Sequence, residues 1–174
     1  MEYEIRTPLS ESDAKMLRAG DIVYLTGTVY TARDAAHKRM SEALDEGHAL
    51  PFDIAGATVY YMGPSPAPEG RAIGSAGPTT ASRMDKYTPR LLRLGLRTML
   101  GKGRRSAEVI EAMKENGCVY LAAVGGAGAL LSNCITACEM VAYDDLGAEA
   151  VRKLQVQRLP AIVAIDAQGE SVYK

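Results

Sequence analysis

Asp21-Ile-Val-Tyr-Leu-Thr-Gly-Thr28 is followed almost at once by Thr31-Ala-Arg-Asp-Ala-Ala-His-Lys-Arg39, and between the two the period of the chain changes. The first stretch has a β-branched and aromatic middle and reads as a strand. In the second, Ala32, Ala35, Ala36, Met40, Ala43 and Leu44 recur at helical spacing. Thr31 is a capping residue at its head, and Gly47 stops it after about Glu46. A strand that feeds a helix is a unit of α/β and α+β domains, so the pattern predicts a central sheet flanked by helices.

Working outward, Leu9 to Arg18 is a short helix candidate, capped by Ser10 or Ser12 and stopped by Gly20. Ala57 to Met62 reads as a second strand. Residues 63–78 hold four prolines and four glycines, which forbids a regular helix; a loop of this length inside a compact domain is functional or disordered. Thr80 to Leu100 reads as mostly helical, with Pro89 starting a second segment and Gly101-Lys-Gly103 breaking it. Ser106 caps a helix over Ala107 to Asn116, ended by Gly117. Cys118 to Val124 reads as a buried strand, followed by Gly125-Gly-Ala-Gly128. Ala161 to Asp166 and Ser171 to Lys174, joined at Gln168-Gly169, read as a hairpin.

The 174 residues are enough for one domain with a real core. Hydrophobic residues make up 47% and charged residues 24%, an ordinary globular mix. A formal net charge of −1 points to neither a nucleic-acid nor a membrane partner. The opening residues lack a basic stretch followed by an apolar one, so no signal peptide is expected. Val119 to Leu131 is too short and glycine-rich to span a bilayer, so the expected location is cytoplasmic. Three cysteines are an odd number in a chain of this size, which speaks against a disulfide framework.

Three places could carry chemistry. In Gly74-Ser-Ala-Gly-Pro-Thr-Thr-Ala-Ser-Arg-Met-Asp85 a Pro/Gly loop runs into Thr79 and Thr80 where a helix is expected to start. Free N–H groups at a helix start attract anions. The two hydroxyls can donate to a carboxylate or pass a proton, and Arg83, about a turn later, can reach back as a bidentate carboxylate ligand. The plainer reading is a capping threonine and a surface arginine. At the second place, Arg33 stands at a strand-to-helix junction with His37 four residues on; the plainer reading there is a solvated helix face with Asp34 and Lys38 paired. At the third, Lys102 lies between glycines on close-approach backbone. A P-loop is excluded there, because no hydroxyl residue follows Lys102 and no glycine stands five positions before Gly101. The dinucleotide reading of Gly125 to Gly128 lacks its third glycine, since Leu131 stands there. Cys118, Cys134 and Cys138 match neither compact ferredoxin spacing, and small core residues are the simpler reading of Cys134 and Cys138.

Taken in order, residues 27–39, Tyr61-Met-Gly-Pro64, Ser75 to Asp85 and Gly101-Lys-Gly103 resemble the C-terminal domain of class I fumarases, which in two-subunit members is a separate β chain. The β subunits of L-tartrate dehydratases share the pattern. The resemblance implies an α/β, swivelling β/β/α fold over a single domain, residues 1–174. It also implies reversible hydration of a small dicarboxylate, fumarate/malate foremost. By position, Thr79 matches a catalytic base, and Arg33, Arg83 and Lys102 match substrate-binding groups, with Thr80 beside them. The implied cofactor is a [4Fe-4S] cluster in a partner α subunit, with no metal held by this chain. The implied assembly is a homodimer or α2β2. A binding or assembly module that kept the fold without the activity is the alternative of a different class.

Overall fold

A computed structural model describes residues 1–64, 66–123 and 131–173. The elements follow as β1 (Glu2–Arg6), α1 (Glu11–Met16), β2 (Ile22–Thr31), α2 (Asp34–Asp45), β3 (Thr58–Tyr60), a 3-10 turn (Ala81–Met84), α3 (Thr88–Arg93), β4 (Thr98–Gly101), α4 (Ala107–Asn116), β5 (Val119–Ala123), β6 (Ile135–Ala142), a second 3-10 segment (Asp144–Glu149) and β7 (Val151–Ile165). The expected Gly125–Gly128 loop lies outside the described residues.

Strands β1 to β5 run parallel to their neighbours, and the long β7 runs antiparallel to β2, β5 and β6. Since β7 pairs with both β2 and β5, the path β2–β3–β4–β5–β7 closes on itself. The result is a mixed α/β domain built on a closed, barrel-like sheet, with β1 and β6 pairing to what remains of the β2 and β7 edges. Gly27 serves this closure. It sits at φ +131 where the β2–β7 register shifts, and a Cβ there would stand 2.3 Å from the Thr7 hydroxyl oxygen.

Side chains alternate across this sheet and make two cores. Val29, Tyr60, Leu100, Val119, Leu121, Leu154 and Val163 belong to one, drawn from all five strands of the ring. Their neighbours Val59, Tyr61, Met99 and Tyr120 belong to the other, with Ala36 and Met40 of α2, Leu91 and Leu92 of α3, and Val109, Ala112 and Met113 of α4. Helix α4 follows the sequence closely. The Ser106 side chain accepts from the Val109 N–H at 3.2 Å, and Gly117 closes the helix at φ +66.

Several expectations are corrected. Thr98 to Gly101 is a strand rather than a helix end; its four residues are all buried between β3 and β5. Helix α2 is capped at Arg33 with no side-chain cap bond, and Thr31 instead ends β2. There the Thr31 hydroxyl donates to the Ala150 carbonyl and accepts from the Arg152 N–H. The chain after Thr80 makes only a four-residue 3-10 turn before α3. The closing hairpin reduces to a single bridge between Ile165 and Ser171. The sequence pattern does not point to strands β1 and β6 or to the first half of β7.

Candidate active site

The carboxyl ends of β2, β3 and β4 lie side by side, because the three strands are parallel and adjacent. In open and closed α/β sheets alike, ligands commonly bind at the carboxyl ends of parallel strands. The segment 75–80 is laid across those ends. Tyr60, at the end of β3, donates its hydroxyl to the Ala76 carbonyl, and the next carbonyl, of Tyr61, accepts the Thr79 N–H at 2.7 Å. Thr80 then forms a parallel bridge with Lys102, and the Ala81 N–H donates to the Lys102 carbonyl at 2.9 Å. Thr79 and Thr80 are therefore brought beside Lys102, which follows β4 directly and is exposed. The intervening 3-10 turn starts at Thr80 without a side-chain cap bond. Thr80 therefore caps it without its hydroxyl, and the turn presents Arg83 to solvent, as the plainer reading of a surface arginine expects.

Arg33 follows β2 at the head of α2. Its side chain is 25% exposed, with Nε 3.8 Å from an Asp34 carboxylate oxygen and 4.0 Å from one of Glu149. Neither contact is a hydrogen bond, and both Arg33 Nε and Asp34 Oδ1 are buried without one. Glu149 meanwhile accepts the Ala35 N–H at 3.1 Å, supplying the head of α2 with its carboxylate. Gly63 makes room for this corner: a Cβ there would meet the Ala148 carbonyl at 2.6 Å and the Arg33 Cδ at 3.0 Å. Arg83 shares an open depression of about 530 Å³ with Asp34, Ala35, Lys38, Lys86 and Tyr87. The space between the head of α2 and the turn after Thr80 is lined by three cationic side chains, Lys38, Arg83 and Lys86, and by the Asp34 carboxylate; of the residues expected at the site it takes in Arg83, and not Arg33, Thr79, Thr80 or Lys102. This arrangement can hold a small polyanion.

His37 is not on a solvated face. It is 1% exposed, with Nδ1 2.8 Å from the Arg33 carbonyl and its ring edge-on to Tyr61 at 5.5 Å. Burial above all holds its pKa down, at about 4. Beneath the site lies a second group that the sequence did not single out. The Arg105 side chain is 0% exposed and pairs with Asp85 at 2.7 Å. Burial works against its charge, but Tyr61 and Asp85 outweigh burial and hold its pKa above the ordinary value. Nothing in Arg104-Arg105 tells which of the two arginines turns inward.

The cysteines do not form a metal centre. Cys118 is buried in the helix-side core and its thiol donates to the Leu96 carbonyl, whereas Cys134 and Cys138 pack against the barrel core. Among the described residues no group of three His, Cys, Asp or Glu side chains is arranged to hold a metal. This donor set does not fit an iron–sulfur cluster held by thiolates of this chain.

The family sequence model described as "Fumarase C-terminus" matches residues 2–174, and the chain belongs to that family. It is 42% identical over 152 residues to "Fumarate hydratase class I, aerobic" of Escherichia coli strain K12, covering 86% of this chain and 28% of that protein. It is 41% identical to "Fumarate hydratase class I, anaerobic" of the same strain, covering 100% of this chain and 32% of that one. It is 39% identical over 180 residues to "Putative L(+)-tartrate dehydratase subunit beta" of Methanocaldococcus jannaschii, covering 100% of this chain and 92% of that protein. The chain spans about a third or less of these fumarate hydratases and nearly all of that tartrate dehydratase subunit. No helix among the described residues is long and apolar enough to cross a membrane.

Proposed function

We propose that this chain is the β subunit of a two-subunit hydro-lyase that reversibly adds water to a small dicarboxylate, with fumarate and malate as the foremost pair. The observation that carries the reading is the parallel bridge that sets Thr80 against Lys102, with Thr79 beside it and Arg83 one turn on. In this reading Arg33, Arg83 and Lys102 bind the substrate carboxylates, Thr80 lines the pocket, and the Thr79 hydroxyl takes the proton next to a carboxylate. Removing that proton builds an aci-carboxylate with added negative charge. Preorganised cations stabilise that charge more than the ground state, which lowers the barrier. A threonine serves as a base only where positive charge lowers its pKa or a neighbouring group takes the proton onward.

The same reading assigns a [4Fe-4S] cluster to a partner α subunit, since the cysteines of this chain do not fit one. A cytoplasmic location, the swivelling β/β/α fold, and a homodimeric or α2β2 assembly belong to it too. A tartrate substrate is the second reading. It rests on the 39% identity to the Methanocaldococcus jannaschii protein whose name is that of a putative L(+)-tartrate dehydratase β subunit.

The test is co-expression with a candidate α subunit, anaerobic cluster reconstitution, and assay of malate, fumarate, tartrate and mesaconate. The expected result is turnover of malate and fumarate, the two sides of one reversible hydration, only when both chains are present. Turnover by this chain alone would overturn the need for a partner, and a reconstituted complex inert to all four would overturn the hydro-lyase reading. Thr79→Val in the active complex should abolish most turnover; near-normal turnover would remove Thr79 as the base.

A further inference from the structure

The five proposed substrate groups lie on three separate stretches of chain. One buried side chain contacts the side chains of residues that flank two of these stretches. Arg105 donates from Nε to Asp85 Oδ1 at 2.7 Å, and from one terminal nitrogen to Thr88 Oγ1 at 3.0 Å and to the Tyr61 hydroxyl at 3.2 Å. Its other terminal nitrogen faces the Met99 sulfur at 3.3 Å, and its guanidinium carbon lies 5.1 Å and 4.9 Å from the ring centres of Tyr61 and Tyr120.

Three of these partners, Tyr61, Asp85 and Tyr120, lead to the proposed pocket. The Tyr61 carbonyl receives the Thr79 N–H. Asp85 ends the turn that carries Arg83, and its second oxygen accepts the Ser106 N–H at 2.8 Å. Tyr120 donates its hydroxyl to the carbonyl of Gly103, next to Lys102, at 2.9 Å. Burying a charge is costly, and an apolar residue of similar volume would fill this space without that cost. A planar guanidinium does what an apolar side chain cannot: its donors point in fixed directions and lock several partners at once.

We propose that Arg105 is a positioning residue, which through Tyr61, Asp85 and Tyr120 sets the spacing of Thr79, Arg83 and Lys102. What is being positioned rests on the hydro-lyase reading; the lock itself does not. The test uses the reconstituted complex with Arg105→Lys and with the apolar pair Asp85→Leu/Arg105→Met, which removes both charges together. Three quantities are read: hydrogen exchange at single amides, thermal midpoint, and kcat.

In Arg105→Lys the Thr79 and Ala81 amides should exchange at least about tenfold faster, while the Val163 amide in β7 keeps its protection. The apolar pair should recover the thermal midpoint, as buried ion pairs replaced by packed apolar groups commonly do, yet kcat should stay about tenfold or more below wild type, because small misplacements of reacting groups are costly. Unchanged exchange at Thr79 and Ala81 in Arg105→Lys would overturn the proposal. So would a kcat that returns with the thermal midpoint in the apolar pair, which would leave Arg105 a stabilising residue only. If Arg105→Lys fails to fold, exchange in the apolar pair decides in the same way. A wild-type complex that hydrates no diacid would count against the hydro-lyase reading, while the exchange measurement would still decide the lock.

Discussion

His37 is half-protonated in the native protein only near pH 4, because burial, helped by the charge of Arg105, outweighs the Arg33 carbonyl and Asp34. An unfolded chain takes that proton near the ordinary value of 6.5. The sign follows: the unfolded state binds more protons between these limits, so stability is complete above pH 6.5 and falls as pH drops toward 4. The loss from this one group is about 3 kcal/mol. We predict that urea unfolding at pH 7 and pH 4.5 will show a smaller difference for His37→Gln than for wild type; equal differences would mean that other groups carry the slope. Arg83→Lys keeps the charge but loses the two-pronged fork, so it should raise KM or lower kcat in the active complex. Unchanged constants would leave Arg83 a surface charge. Burial lifts the Cys118 thiol to about 11. A thiol reagent should therefore label it far more slowly than Cys134 and Cys138 in native protein, and all three alike in denaturant. At this scale the sequence was informative about residue types and silent about burial. Thr79, Arg83 and Lys102 were legible from glycine and threonine context, whereas His37 looked like a solvated residue and Arg105 like any other arginine.

Elements that announce themselves by local chemistry were read well. Ser106 and Gly117 bracket α4 because a hydroxyl cap and a left-handed glycine act within a turn or two of chain. Ser106→Ala should cost about 1 kcal/mol in chemical denaturation, with no shift in the sheet's far-UV signal. Strand β4 was misread for the opposite reason. Thr98-Met-Leu-Gly101 is buried on both faces, so it shows no alternation, and its methionine and leucine favour helices when read alone. Its end is tightly packed: a Cβ on Gly101 would lie 2.7 Å from a Tyr61 ring carbon. Gly101→Ala should therefore destabilise the protein by about 1–3 kcal/mol and disturb Tyr61, read as a lower thermal midpoint and a changed near-UV spectrum. An unaltered midpoint would show that the ring can give way.

At the scale of the molecule, β7 closes the sheet by pairing with β2 and β5 at once. Leu154 sits in that strand fully buried, opposite Val29 on one side and Cys138 on the other. Leu154→Ala should cost about 2–5 kcal/mol in the urea midpoint; a loss below 1 kcal/mol would mean the barrel core collapses around the gap. The sequence by itself determined the α/β class, the helices with clear caps, and the short list of hydroxyl and cationic residues on glycine-rich loops. These depend on contacts a few residues apart, which a linear reading can see. Only the tertiary structure decided that the sheet closes, that Thr80 meets Lys102, and that Arg105 turns inward beneath them. Those outcomes depend on pairing between distant strands and on which side chains lose their water, and neither is written in any local stretch of chain.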